Sequence, residues 1–315
     1  MLSHRRRITR PTHLILATAL LAAACGTDDG AEEPETPPED AAEAPDDAGD
    51  DDGEDEATDG DAPERVVSLS PTSTEVLFAI GAGDQVVAVD DQSNFPEEAP
   101  TTDLSGFQPN LEAIAAFEPD IVFLSQDVDG LVDGLESIDV EVVIQPAAED
   151  LDEAFDQMLA AGDLTGNAEA ASTLVDELRA EIDALLADAP DGDGLRYYHE
   201  LDPNLFTATS TTFIGEVYGL FGLDNIADEA GQDTDFPQLS PEFVVDADPD
   251  LIFVTDASGD GPDEIAARPG WSTITAVEAD AIEVLPTDVS SRWGPRVVEF
   301  VEAIAQVLDG VSADA

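Results

Sequence analysis

The chain has 315 residues and is 43% hydrophobic, long and apolar enough to build two lobes. It carries 73 Asp and Glu against 10 Lys and Arg, a formal net charge of −63, and all of the bases are Arg. That balance excludes a phosphate-neutralising surface, and with it nucleic-acid binding. It also suits a salty medium that screens self-repulsion.

In chain order, Arg5, Arg6, Arg7 and Arg10 precede the apolar run LILATALLAAA at 14–24. This is the layout of an export signal, too short for a stable bilayer span. The run ends at Cys25, the only cysteine. Small residues there mark a cleavage point, and residues 1–25 resemble a bacterial lipoprotein signal. The implied consequence is a lipid anchor on Cys25 and an extracytoplasmic, membrane-attached protein. A single cysteine also leaves no disulfide and no thiol-pair metal site within the chain. Residues 26–63 read as a disordered acidic linker. Ala is the only hydrophobic type between 27 and 63, so no burial offsets the entropy of ordering. Like charges and Pro extend such a segment.

The folded part divides into an N-terminal lobe (64–148), an interlobe helical segment (149–191) and a C-terminal lobe (192–315). RVVSL (65–69) is a strand. PTSTEVLFAIGAGD (71–84) is a helix that Ser70 or Thr72 can cap and Gly81 and Gly83 end. QVVAVD (85–90) is a strand, NLEAIAAF (110–117) a helix with Asn110 as N-cap, and DIVFLS (120–125) and VEVVIQ (140–145) are strands. DLDEAFDQMLAAG (150–162) is helical. The segment NAEAASTLVDELRAEIDALLAD (167–188) follows, with one apolar face and no Gly or Pro. It would run about 33 Å as a helix.

The second half repeats the plan. LRYYHEL (195–201) is a strand, FIGEVYGLFGLDNI (213–226) a helix ending in Gly222, and SPEFVVDA (240–247) a helix. DLIFVT (250–255) and AIEVLP (281–286) are strands, and VVEFVEAIAQVL (297–308) is the closing helix. EVLFAIG (75–81) matches EVYGLFG (216–222), and LEAIAAFEPDIVFL (111–124) matches PEFVVDADPDLIFV (241–254). The fold class is therefore α/β: two Rossmann-like lobes with parallel sheets, joined by a single long interlobe helix. Such lobes face a common cleft, where strand-end loops gather.

RVVSLSPTSTEVLFAIGAGDQVVAV, NFPEEA, LSGFQPNLEAIAAFEPDIVFLS, FPQLSPEFVVDADPDLIFV and WGPRVVEFVEAI occur in this order along 64–310. In that order and spacing the chain resembles the helical-hinge substrate-binding proteins of ABC importers, in the branch that takes cobalamin, ferric siderophores or haem. The resemblance implies a monomer that captures a small metal chelate and delivers it to a permease dimer and its ATPase. The protein itself would need no cofactor, since the chelate brings its own cobalt or iron, and would catalyse nothing. It implies permease docking through Glu112 and Glu242, one per lobe. On the residues alone, docking and stabilisation of a helix dipole are equal readings of these two first-turn acids.

By family position the ligand contacts are Gln92, Phe95, Phe107, Phe206, Phe236, Asp288 and Arg292. Trp293 reads equally as a stacking group or a core plug. The D-x-x-x-R spacing before G-P-R resembles cobalamin-binding members and favours a corrinoid over a ferric siderophore, with haem third. Arg296, at a helix start, calls for an anionic partner, and a structural salt bridge is the simpler reading. His199 reads as a strand-end His, with axial ligation of a chelated metal as the alternative. One mature His does not make a zinc or manganese site. No G-x-S-x-G, Walker or H-E-x-x-H motif occurs. The competing function class is a cell-surface hydrolase or carbohydrate-active lipoprotein of the same two-lobed plan.

Overall fold

The computed structural model describes residues 62–314. The expected export signal, Cys25 and nearly all of the expected acidic linker lie outside the described residues. The first lobe runs β1 (Val66–Leu69), α1 (Pro71–Ala79), β2 (Val86–Val89), α2 (Leu111–Ala115), β3 (Ile121–Leu124), α3 (Leu131–Glu136) and β4 (Glu141–Ile144). Two helices follow, α4 (Leu151–Thr165) and α5 (Ala168–Asp188). The second lobe begins with β5 (Arg196–Glu200), α6 (Phe213–Gly219), β6 (Asp224–Asn225), α7 (Pro241–Ala247) and β7 (Leu251–Thr255). It finishes with α8 (Pro262–Ala266), α9 (Thr275–Glu278), β8 (Ile282–Leu285), α10 (Thr287–Ser290) and α11 (Val297–Asp314).

Each lobe holds a four-stranded, all-parallel sheet, in the order β2-β1-β3-β4 and β6-β5-β7-β8. The central strands β1, β3 and β7 are buried at every residue. Parallel strands covered on both faces need such continuous apolar runs. Side chains alternate between faces. Val66, Ile121 and Phe123 enter one core, while Val67, Leu69, Val122 and Leu124 enter another on the opposite face of the first sheet. The first of these cores is continuous through α4, α5 and the second lobe. The lobes therefore share packing at their base.

The sequence repeat is repeated in the caps. Ser70, Asn110, Thr212 and Ser240 begin α1, α2, α6 and α7, each side-chain oxygen accepting from a first-turn backbone N–H.

A tight turn at Gly166 and Asn167 folds α4 back onto α5. Their approach is close enough that a Cβ on Gly162 would lie 2.4 Å from that of Ala171. The 21 residues of α5 extend about 32 Å. At the start of α5, the Gln85 amide donates to the Thr165 carbonyl at 3.0 Å. Beyond its end, the Gly192 N–H donates to the Phe221 carbonyl at 3.0 Å. The long helix thus begins on the first lobe and delivers the chain to the second.

One expected helix is shorter than its pattern. The span 213–226 stops being α-helical after Gly219, and Asp224–Asn225 pairs with Arg196–Tyr197 as β6. Gly222 takes φ +75° in the turn, a conformation that favours Gly. Buried Asn225 then donates to the Tyr197 hydroxyl at 2.7 Å and the Ala208 carbonyl at 2.8 Å, and accepts from Ala227 N–H at 2.9 Å. These tertiary bonds override the helical periodicity. The short helices α3, α8, α9 and α10 have too little pattern to be read in advance.

Candidate functional site

In both sheets the strand order reverses between neighbours, β1 beside β3 and β5 beside β7. Ligands of open α/β sheets lie beyond the carboxyl ends of the strands at such points. The ligand residues expected from the sequence lie beyond the carboxyl ends of strands, all in loops except Asp288, which is in α10. Gln92, Phe95 and Phe107 lie between β2 and α2. Phe206 follows β5, Phe236 precedes α7, and Asp288, Arg292 and Trp293 follow β8.

Four of these residues are apolar rings left open to solvent. Phe107 is 69% exposed, Phe236 49%, Phe95 43% and Phe206 38%. Among the described residues, Ile138 and Ile144 are the other large hydrophobics in this class. Exposed aromatic rings at strand ends suit a recognition surface. Backbone bonds set two of them in one wall. Leu201 N–H donates to the Phe206 carbonyl, Thr207 N–H to the Pro237 carbonyl and Thr209 N–H to the Asp235 carbonyl, at 2.8–3.0 Å.

Between the lobes is a cavity of about 390 Å³. Ala147, Ala148 and Glu149 line it from the end of the first sheet, and Leu201, Thr211, Phe213, Asp235, Phe236, Ser291 and Trp293 from the second lobe. The half-buried Trp293 borders it, with its indole N–H donating to Gln157 Oε1 at 2.9 Å. That bond ties the ring edge to α4.

Arg292 is 9% exposed, and its guanidinium bonds run to the protein. Nη1 donates to Glu75 Oε1 at 2.7 Å and Asn94 Oδ1 at 3.1 Å. Nη2 donates to Asp288 Oδ1 at 2.6 Å and the Gln92 carbonyl at 3.2 Å. The Asn94 amide also donates to Asp288 Oδ2 at 2.6 Å. The more open groups of this cluster are Asp288 and Asn94. Arg296 forks onto Glu75, Nε to Oε2 at 2.9 Å and Nη2 to Oε1 at 2.6 Å. Its guanidinium carbon lies 4.4 Å from the Phe95 ring centre. The Glu75 hydrogen bonds, outweighing desolvation, push the Arg296 pKa above its ordinary value. Glu75 carried no signal in the sequence, because it reads as one more polar position on a short helix.

The remaining arginines of the described residues are also committed. Arg65 donates to the Phe117 and Glu118 carbonyls. Arg179 pairs with Asp152, Arg196 with Glu229, and Arg268 with Glu200 and Asp260. With no Lys in the chain, the cleft presents aromatic rings, hydroxyls and carboxylates. Among the described residues, no cluster of three or more His, Cys, Asp or Glu is placed to hold a metal ion.

His199 does not reach the cleft, which removes the axial-ligand alternative. It is fully buried, packed between the rings of Tyr218 and Phe300. Its Nδ1 lies 2.7 Å from the Tyr218 hydroxyl, and Nε2 is buried without a partner. Desolvation lowers its pKa to about 3, so the ring is neutral. Glu112 and Glu242 are exposed first-turn residues of α2 and α7, equivalent in the two lobes. Neither joins an ion pair among the described residues.

Two α/β lobes, a spanning helix and an aromatic interlobe cleft define a two-lobed substrate-binding protein of the helical-hinge class. Residues 66–289 match the family described as periplasmic binding protein, and the chain belongs to that family. It is 33% identical over 256 residues to a cobalamin-binding protein of Halobacterium salinarum, covering 77% of this chain and 69% of the other. It is 26% identical over 303 residues to YvrC of Bacillus subtilis, an ABC transporter substrate-binding lipoprotein, covering 93% and 94%. Among solved structures, it superposes on the periplasmic vitamin B12 binding protein BtuF of Vibrio cholerae with a TM-score of 0.68. The identity there is 25%, over 79% of this chain and 98% of the other. These relatives support substrate binding for ABC import and not the hydrolase reading.

Proposed function

We propose that this protein is a lipid-anchored extracytoplasmic receptor that binds a corrinoid in the interlobe cleft and passes it to an ABC permease. The observation that carries the choice of ligand is the charge of the cleft. Its walls offer the exposed Phe236 ring, Trp293, the hydroxyls of Thr211 and Ser291, Asp235 and Glu149, while every described Arg is bonded to protein. A corrinoid matches such walls. Its broad faces stack on aromatic rings, and its peripheral amides donate to carboxylates and hydroxyls. Haem carboxylates and anionic ferric catecholates need cationic donors and would meet acids instead. A neutral ferric hydroxamate fits less fully, since it presents fewer donors. The names of the relatives in Halobacterium and Vibrio agree with a corrinoid.

On this reading the chain acts as a monomer without a cofactor and without catalysis. Cys25 carries the lipid, and residues 26–63 hold the lobes off the membrane. Glu112 and Glu242 meet the two halves of the permease dimer, and its ATPase drives transport. Two equivalent carboxylates, one per lobe, suit a partner of twofold symmetry. A thermal-shift screen tests the ligand. Cyanocobalamin is expected to raise the melting temperature, and haemin and a ferric catecholate to leave it unchanged. A shift with haemin and none with cyanocobalamin would reverse the assignment.

A further inference from the structure

We infer that Glu75 is a positioning residue, the anchor of an interlobe clamp that sets the aperture of the cleft. It belongs to α1 of the first lobe, whereas its partners Arg292 and Arg296 lie between α10 and α11 of the second, 217 and 221 residues away. The side chain is buried and both oxygens are used. Oε1 receives Arg292 and Arg296, and Oε2 receives Arg296.

The cluster is balanced, two carboxylates (Glu75 and Asp288) against two guanidiniums. It reaches the ligand wall directly. Arg292 holds the Gln92 carbonyl and Asn94, Asp288 holds Asn94, and Arg296 covers the Phe95 ring. So residues 92–95 of the first lobe are fastened by the second lobe, mostly through guanidiniums fixed by Glu75, with the Asn94–Asp288 bond beside them. The shared core and α5 join the lobes at the base. The clamp joins them at the strand-end edge, beside the cleft. Without the Glu75 charge, Arg292 would keep Asp288 as its ion pair while Arg296 would lose its own, and repulsion between the two largely buried guanidiniums in a low-dielectric site would part the walls. Arg292 then orients the wall that meets the ligand, which rests on the cleft being the binding site.

The test compares the mature chain with its Glu75→Gln variant in two measurements. Hydrogen exchange without ligand is expected to quicken roughly tenfold in 90–96 and 287–293, a mid-range loss for directly coupled side chains. Protection in α5 should not change. Release of cyanocobalamin is expected to quicken by a similar factor. A purely structural role would loosen both sheets alike, and that result, or unchanged exchange in 90–96, would overturn the clamp. If Glu75→Gln does not fold, Arg296→Lys keeps a charge but loses the fork, and the same outcomes apply. Failure of the unmodified chain to bind cyanocobalamin would count against the ligand alone, since the exchange measurement needs none.

Discussion

His199 and Glu112 are both polar residues near strand or helix ends, yet their surroundings give them opposite characters. His199 is sealed among Tyr218 and Phe300 and kept neutral, with its pKa near 3 against about 6.5 in an unfolded chain. The unfolded state therefore binds the proton more readily between those values. Its stabilising share is complete above pH 6.5 and is lost as pH falls toward 3. His199→Phe should flatten the fall in denaturant midpoint across that interval relative to the unmodified protein. An unchanged slope would mean that the ring does not stay neutral. Glu112 and Glu242 sit instead on open first turns. The pair Glu112→Ala and Glu242→Ala is expected to leave corrinoid affinity intact and to abolish uptake by cells. The helix-dipole reading alone allows at most ~1 kcal/mol per site and predicts normal uptake. Lost affinity would place these acids in the cleft.

The elements with strong local signals were legible in the sequence. Asn110 and Ser240 precede short apolar helices and do cap them, and α5 has no breaker over its 21 residues. What could not be read depends on distant partners. β6 exists because Asn225 bonds to Tyr197 and Ala208, and Glu75 matters because of residues more than two hundred positions away. No local period encodes either contact. The exposed Phe residues stood between, since their loops were clear but the orientation of each ring was not. The α4–α5 hairpin offers a test at this scale. Gly162 lets the two helices touch at Ala171. Gly162→Ala adds helix propensity of about 1 kcal/mol but forces overpacking that typically costs ~1–3 kcal/mol. The expected result is a lower melting temperature, restored by adding Ala171→Gly. A rise in the single variant would show that the hairpin yields without cost.

At the scale of the whole molecule, a shared core and one long helix at the base leave limited freedom to open. The strand-end edge carries aromatic rings from both lobes. The extreme negative charge is compatible with this arrangement because the arginines of the described residues are all bonded to protein, three of them to buried carboxylates. What remains in the cleft is an aromatic, acceptor-rich wall, and the central claim is that this wall chooses its ligand by charge. A competition titration of the protein with cyanocobalamin and haemin measures that choice directly. One equivalent of cyanocobalamin bound per chain, undisturbed by haemin, is the predicted result; haemin displacing it, or binding alone, would contradict the account.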